Sequence, residues 1–125
     1  MEVNYMIPKF RAWWIQDEVM THIDTLEFLQ GGIRVSDGCW HEKFLGDEVI
    51  LMQSTGLIDR NGVEIFEGDI VAIKYSESGY HYYEKIVFEN GTYLAGDEDW
   101  LYNIKDYCVV CGNIYEDKEL LEVEG

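Results

Sequence analysis

The chain has 125 residues, of which 47% are hydrophobic and 14% aromatic, enough to bury the core of one ordinary domain. Its 25 Asp and Glu outnumber nine Lys and Arg, a formal net charge of −16 at pH 7. Binding to a phosphate backbone depends on Lys and Arg, so this balance disfavours direct nucleic-acid binding. An acidic surface keeps a protein soluble, and it also suits basic partners or mimicry of DNA; these interpretations stay open.

Composition also bears on the cellular compartment. No stretch approaches the roughly 18 consecutive apolar residues that a membrane helix needs. Residues 1–5 lack the basic flank and apolar core of a signal peptide. Three cysteines, an odd number, argue against a disulfide framework and fit a reducing compartment. We therefore expect a soluble cytoplasmic protein without a membrane segment.

The first half of the chain alternates short β-forming runs with polar or glycine-rich turns. Residues 7–13 predict a first strand, residues 16–18 a polar interruption, and residues 23–28 the start of a second strand. The Gly31-Gly32 pair predicts a hairpin between residues 26–29 and 33–35. Residues 36–44 form a predicted loop, and residues 49–52 a strand that leads into the middle of the chain.

Turn signals are densest between residues 56 and 69. Asn61-Gly62 predicts a tight hairpin, because both central positions of a type I′ turn need positive φ. Asp59 stands two residues earlier, where its carboxylate could accept backbone N–H groups in a longer loop. Glu67-Gly68-Asp69 predicts a second turn, followed by a buried or half-buried strand at 70–73. Such closely spaced turns are typical of small barrels.

The last third continues the β pattern. Residues 83–94 form the clearest hairpin, turning at Asn90-Gly91. An acidic loop at 96–99 precedes a strand at 107–111, which residues 113–115 continue or end. Residues 116–124 predict one turn of helix or an acidic tail, since so short a helix is marginal in isolation.

The central motif resembles a known family. Leu51-Met-Gln-Ser-Thr-Gly-Leu57, Asp59-x-Asn-Gly62 and Ile65-Phe-Glu-Gly-Asp-Ile-Val71 look like the signature of the YopX family of phage and prophage proteins. Residues 7–13 and 112–116 agree with it, so the match spans almost the whole chain. The resemblance implies a mostly β fold with an SH3-like barrel in the latter part, and it transfers no catalytic residue. Cys111 stands where the family pattern leads us to expect an aliphatic residue.

We therefore predict a single mainly β domain over residues 1–125. It has a strand-rich part at about 1–55, a small SH3-like barrel at about 56–115 and an acidic tail at 116–125. The family-motif residues are assigned structural roles in turns: Gly56, Asp59, Gly62, Glu67, Gly68 and Asp69.

Candidate chemical sites are weak. Cys108-Val-Val-Cys111 has the spacing of a metal or redox motif, yet two valines favour a strand, whose positions three apart point to opposite faces. His22, His41 and His81 are far apart in sequence, and the Asp97-Glu98-Asp99 run lacks the pattern of a Ca²⁺ loop. There is no phosphate loop and no nucleophile elbow. We expect no catalytic residue, no metal ligand and no cofactor.

Aromatic side chains in or beside predicted loops are the candidate interaction surface: Tyr80, Tyr82, Tyr83, Trp100 and Tyr102. Together with the acidic charge they favour a non-enzymatic protein–protein interaction module. Its protein partner is unknown, and a basic partner would match the charge. Two alternatives stay open, an enzyme or metal-dependent protein using dispersed carboxylates and histidines, and an acidic DNA mimic that inhibits a host protein. The oligomeric state also stays open, including a homo-oligomer.

Overall fold

A computed structural model describes residues 9–38, 42–74, 81–97 and 99–122. Strands make up 62% and helices 12% of it, so the predicted mainly β class is confirmed. One sheet curls as half of a barrel, which is compatible with the SH3-like barrel; that finer detail stays a prediction. The chain divides into two compact units, Met1–Gln53 and Ser54–Gly125.

The N-terminal unit is built from two antiparallel arrangements. Strand β1 pairs on one side with β2 and on the other with residues 49–53 of β6, while β4 pairs with β3 and β5. Fully or nearly fully buried apolar side chains form its core: Ala12, Trp14, Val35 and Val49. The strands are β1 (Phe10–Trp14), β2 (Val19–Ile23), β3 (Thr25–Leu29), β4 (Gly32–Ser36), β5 (Glu42–Phe44) and β6 (Val49–Ile58).

The sequence patterns located most of these strands and missed one of them. The predicted first strand corresponds to β1, and the hairpin at Gly31-Gly32 is confirmed by the pairing of Leu29 with Gly32. The strand predicted to start at 23–28 corresponds to β3, which begins at Thr25, whereas β2, which pairs with β1 and ends at Ile23, was not predicted. The predicted loop at 36–44 contains β5; residues 7, 8 and 39–41 lie outside the described residues.

The C-terminal unit centres on a five-stranded antiparallel sheet of order β11-β10-β9-β8-β12. Residues 54–58 of β6 pair with β7 in the same unit. Its core is made of fully or nearly fully buried side chains: Ile65, Val71, Ile73, Ile86, Ala95, Leu101 and Cys108. The strands are β7 (Glu64–Phe66), β8 (Asp69–Lys74), β9 (His81–Glu89), β10 (Thr92–Ala95), β11 (Asp99–Trp100) and β12 (Cys108–Asn113).

The two Asn-Gly turns differ. At Asn90-Gly91 both residues have positive φ, 53° and 81°, and Glu89 pairs with Thr92, so the predicted type I′ hairpin is confirmed. At the earlier pair only Gly62 has positive φ, 82°, so the two-residue turn predicted there is wrong. Instead a longer loop joins Ile58 to Glu64, and Asp59 supplies its hydrogen bonds.

The second turn of the central motif is as predicted. Gly68 has φ of 88°, and the carboxylate of Asp69 accepts the N–H of Phe66 at 2.8 Å. The buried strand predicted at 70–73 lies within β8, where Ile70, Val71 and Ile73 are buried. The turn therefore reverses the chain and delivers β8 into the centre of the sheet.

Helical structure is confined to short pieces. Helix α1 (Leu101–Ile104) continues into a 3-10 turn at Lys105–Tyr107, and a second 3-10 helix covers Lys118–Glu122. The first lies between the acidic loop predicted at 96–99 and the strand predicted at 107–111, and it was not anticipated from the sequence. The second falls in the segment predicted as a helical turn or tail; residues 123–125 lie outside the described residues. No helix in the described part of the chain is long and apolar enough to cross a membrane.

Candidate interaction surfaces

The family-motif residue Asp59 binds backbone groups from two separate parts of the chain. Asp59 is 3% exposed, and its Oδ1 accepts the N–H groups of Asn61 and Val63 at 2.8 and 2.9 Å. Its Oδ2 accepts the N–H of Val110, 51 residues further on, at 2.8 Å. The N–H of Arg60 also donates to the carbonyl of Cys108 at 3.0 Å. The loop is thereby fixed to the outer edge of β12.

The remaining motif residues occupy turns and irregular positions. Gly56 lies exposed where the pairing of β6 with β7 shifts register, and it has φ of 78°. Asp69 is 2% exposed, and Glu67 is half-buried. Burial, followed by the negative charge of Glu67, raises the pKa of the Tyr93 hydroxyl. Carboxylates of this set therefore act on neighbouring backbone and on one tyrosine.

The five-stranded sheet has a core face and an outer face. Val71, Ile73 and Ile86 point into the core, so their neighbours along the strands point outward. Pairing places Ala72 between Val109 and Tyr83, and Lys74 opposite His81. These outward side chains form the floor and one wall of a surface depression.

We call this depression the outer groove; it has a volume of about 290 Å³. Arg60 from the clamped loop and Tyr107 from the 3-10 turn complete its walls, and Cys111 lies at its margin. The Tyr83 hydroxyl lies 3.3 Å from His81 Nε2, with the two rings edge to face at 5.3 Å between centroids. Apolar floor, aromatic walls and cationic ends thus meet on one face.

A second surface, which we call the acidic edge, consists of Glu84, Asp97, Asp99 and Trp100. Asp99 pairs with Ala95 and Trp100 with Leu94 at the margin of the sheet. Burial, then the charges of Asp97 and Asp99, raises the pKa of the Glu84 carboxyl. Trp100 is 59% exposed. The edge therefore presents several carboxylates, and the exposed indole of Trp100 follows Asp99 directly in the chain.

The predicted aromatic residues are distributed over these surfaces. Tyr83 lines the outer groove, whereas Tyr82 points to the core face and donates its hydroxyl to Asp99 at 3.2 Å. Trp100 belongs to the acidic edge. Tyr102 is 69% exposed and lies under Lys105, whose Nζ is 5.6 Å from the ring centroid. Tyr80 lies outside the described residues.

Of the eight residues that line the outer groove, seven were not predicted from the sequence as members of one site: Arg60, Ala72, Lys74, His81, Tyr107, Val109 and Cys111. Their local surroundings in sequence carry no common motif. The alternation of β8 and β9 marks the outward direction of Lys74 and His81, yet only the cross-strand register brings these two together. The outward direction can be predicted from the sequence, whereas the cross-strand register cannot.

The two cysteines of the Cys-x-x-Cys segment point apart. Cys108 is fully buried in the core of the C-terminal unit and Cys111 is exposed. Burial raises the pKa of the Cys108 thiol to about 11, with smaller contributions from Asp59, Asp106 and Cys111. This arrangement is that of a strand in which one thiol packs as a small apolar group.

Thiol labelling tests the arrangement of the cysteines. With Cys39 replaced by Ser, we expect Cys111 to react rapidly at pH 8 and Cys108 at least about a hundredfold more slowly, because the thiolate is the reactive species. Unfolding should equalise the rates, and a chelator should change nothing. Ionisation of the unfolded thiol should also weaken folding as pH rises from about 9 towards 11. Equal native rates, or release of zinc on labelling, would contradict this arrangement.

No metal-binding cluster is found within the described ranges: nowhere do three or more His, Cys, Asp or Glu side chains group so as to hold an ion. His22 and His81 are exposed. His41, Cys39 and Glu98 lie outside the described residues.

Comparisons with known proteins give consistent results. A family model described as YopX protein matches residues 9–122. The crystal structure of protein EF1440 from Enterococcus faecalis is similar with a TM-score of 0.67 and 30% identity, covering 94% of this chain and 99% of that one. The X-ray structure of yopX from Bacillus subtilis is similar with a TM-score of 0.62 and 16% identity, covering 90% and 97%. No curated protein matches the chain.

Proposed function

The chain belongs to the YopX family, and we propose that it is a non-enzymatic protein–protein interaction module that binds a basic partner through its acidic edge. The observations that carry this proposal are the closeness of Glu84 to Asp97 and Asp99 and the exposure of Trp100, which follows Asp99 in the chain. Aromatic residues are enriched among the side chains that dominate protein interfaces. The net charge of −16 adds long-range attraction for a basic partner.

The electrostatics of the acidic edge favour a cationic side chain. Like charges close together disfavour ionisation, which contributes to the raised pKa of Glu84. A docked Arg or Lys would relieve that repulsion and lower the pKa again. An Arg guanidinium can in addition hydrogen-bond a carboxylate in bidentate fashion and stack on an indole. Arginine in an exposed segment of the partner is therefore the expected contact.

We further propose that this is a phage or prophage accessory protein acting in the cytoplasm of a bacterial host. The support for this role is the resemblance of the central motif to phage and prophage proteins of the family. The two similar solved structures come from bacterial sources, Enterococcus faecalis and Bacillus subtilis, which is compatible with such a host.

The test compares capture of partners by matched variants. Tagged wild-type protein is incubated with bacterial lysate beside Asp97→Asn/Asp99→Asn and Trp100→Ala. The control, Glu119→Gln/Glu122→Gln, removes the same charge from exposed positions of the C-terminal 3-10 helix. We expect a basic protein that the wild type and control retain and both edge variants lose, with binding that weakens as salt is raised.

Two results would contradict the proposal. One is capture of no protein above background by the wild type. The other is a partner retained equally by the wild type and both edge variants, which would assign the interaction to a different surface.

A further inference from the structure

The outer groove holds two cations that no carboxylate within the described residues pairs with. Within the described ranges, neither the Arg60 guanidinium nor the Lys74 ammonium has an ion-pair or hydrogen-bond partner. Three other basic residues are paired with carboxylates: Arg34, Lys43 and Lys105. On a chain with only nine Lys and Arg against 25 Asp and Glu, two unpaired cations in one groove are a local reversal of charge.

Two carboxylates that adjoin groove residues in the chain, those of Asp59 and Asp106, are engaged elsewhere. Both oxygens of Asp59, the neighbour of Arg60, accept backbone N–H groups. Asp106, the neighbour of Tyr107, pairs with Lys105 at 3.2 Å. The cations of the groove are therefore available to an external anion.

The groove also has an apolar component. Ala72 and Val109 form its floor, and the rings of Tyr83 and Tyr107 stand beside them; Tyr107 is 61% exposed. The small side chain of Ala72 between Tyr83 and Val109 leaves the depression open at its centre. A ligand that only supplied charge would leave this surface uncovered.

We propose that the outer groove binds an acidic segment of a partner polypeptide, in which carboxylates flank an aromatic or large aliphatic side chain. The carboxylates pair with Arg60 and Lys74, and the apolar side chain lies on Ala72 and Val109 between the tyrosine rings. Charge-assisted hydrogen bonds of this kind are among the stronger polar contacts at interfaces. The volume of about 290 Å³ accommodates one such side chain with its neighbours.

Charge distinguishes a peptide from a nucleic acid here. A nucleic acid carries a phosphate at every nucleotide, and its binding needs a continuous basic track with aromatic stacking. This groove offers two unpaired cations on a protein of net charge −16. A segment with two or three carboxylates matches the two cations, and at physiological ionic strength the distant acidic residues are screened beyond about 8 Å.

This inference is independent of the function proposed above. It concerns the outer groove and a partner segment of the opposite charge, so either proposal can fail while the other holds. Variants of the acidic edge should leave peptide binding at the groove unchanged.

The probe is a fluorescein-labelled decapeptide that alternates glutamate with phenylalanine or leucine, measured by fluorescence anisotropy. Its control replaces every glutamate by glutamine. We expect Arg60→Gln/Lys74→Gln to weaken binding of the acidic peptide at least about tenfold, or about 1.4 kcal/mol. Lys118→Gln, an exposed cation on the C-terminal 3-10 helix, should change it less than twofold. Val109→Glu should abolish binding by introducing a carboxylate on the floor.

Every outcome decides the proposal. Binding that requires glutamate in the peptide and Arg60 with Lys74 in the protein supports it. Failure of the acidic peptide to bind at 1 mM protein, which means a Kd weaker than about 1 mM, overturns it. Equal binding by the double variant, or tighter binding of a ten-nucleotide oligothymidylate, overturns it as well. Unfolding in urea confirms that each variant is folded.

Discussion

Replacing Asp59 by Asn should lower the free energy of unfolding by about 2–4 kcal/mol. Both carboxylate oxygens accept backbone N–H groups, and the residue is 3% exposed. Asn offers one carbonyl oxygen and one NH₂ group. In one orientation the new NH₂ group faces the N–H of Val110. In the other it faces the N–H groups of Asn61 and Val63.

The change should also expose a strand edge. The bonds from Val110 to Asp59 and from Arg60 to Cys108 cover the outer side of β12, which is the last strand of its sheet. An uncovered edge is a template for pairing with another chain. We therefore expect the variant to aggregate at lower denaturant concentrations than the wild type.

Urea unfolding followed by tryptophan fluorescence and far-UV circular dichroism measures the effect. Asp106→Asn is the matched control, since Asp106 has an exposed side chain and should change stability by less than about 0.5 kcal/mol. A loss below about 1 kcal/mol for Asp59→Asn would mean that the three hydrogen bonds do not hold the loop to β12.

The Asp59 loop also shows which hydrogen bonds can be predicted from the sequence alone. The capacity of an Asp to accept N–H groups two residues away is local chemistry, and the hydrogen bond to Asn61 agrees with it. The bond to Val110 spans 51 residues and depends on the fold. The same tertiary contact selected a longer loop at Asn61-Gly62, while Asn90-Gly91, under only local control, kept its type I′ turn.

Strand register imposes the same limit on the candidate sites. Period-two alternation identified the β pattern, and it missed β2, in which Thr21 and His22 interrupt the apolar residues. The outer groove needs Ala72, Tyr83 and Val109 to be aligned across three strands. A single sequence does not specify that alignment, so only part of the groove, Tyr83, was anticipated.

The short helix α1 also depends on tertiary contacts, because its sequence carries almost no helical signal. It has four residues, its N-cap position is occupied by Trp100 without a side-chain hydrogen bond, and so short a helix is not stable alone. What fixes it is Leu101, which is fully buried in the core of the C-terminal unit. The exposed Trp100 and Tyr102 on either side follow from that one anchor.

Leu101→Ala should therefore destabilise the protein by about 2–5 kcal/mol, as expected when a fully buried leucine leaves a cavity. Amide hydrogen exchange across residues 101–107 should accelerate beyond the change in global stability, because the segment has no other fully buried side chain. If the acidic edge binds a basic partner, this variant should weaken that binding while leaving every edge residue in place. Tyr102→Ala is the control, since its 69% exposed ring should cost less than about 0.5 kcal/mol. Equal denaturation midpoints for Leu101→Ala and the wild type would show that the segment is held by contacts other than Leu101.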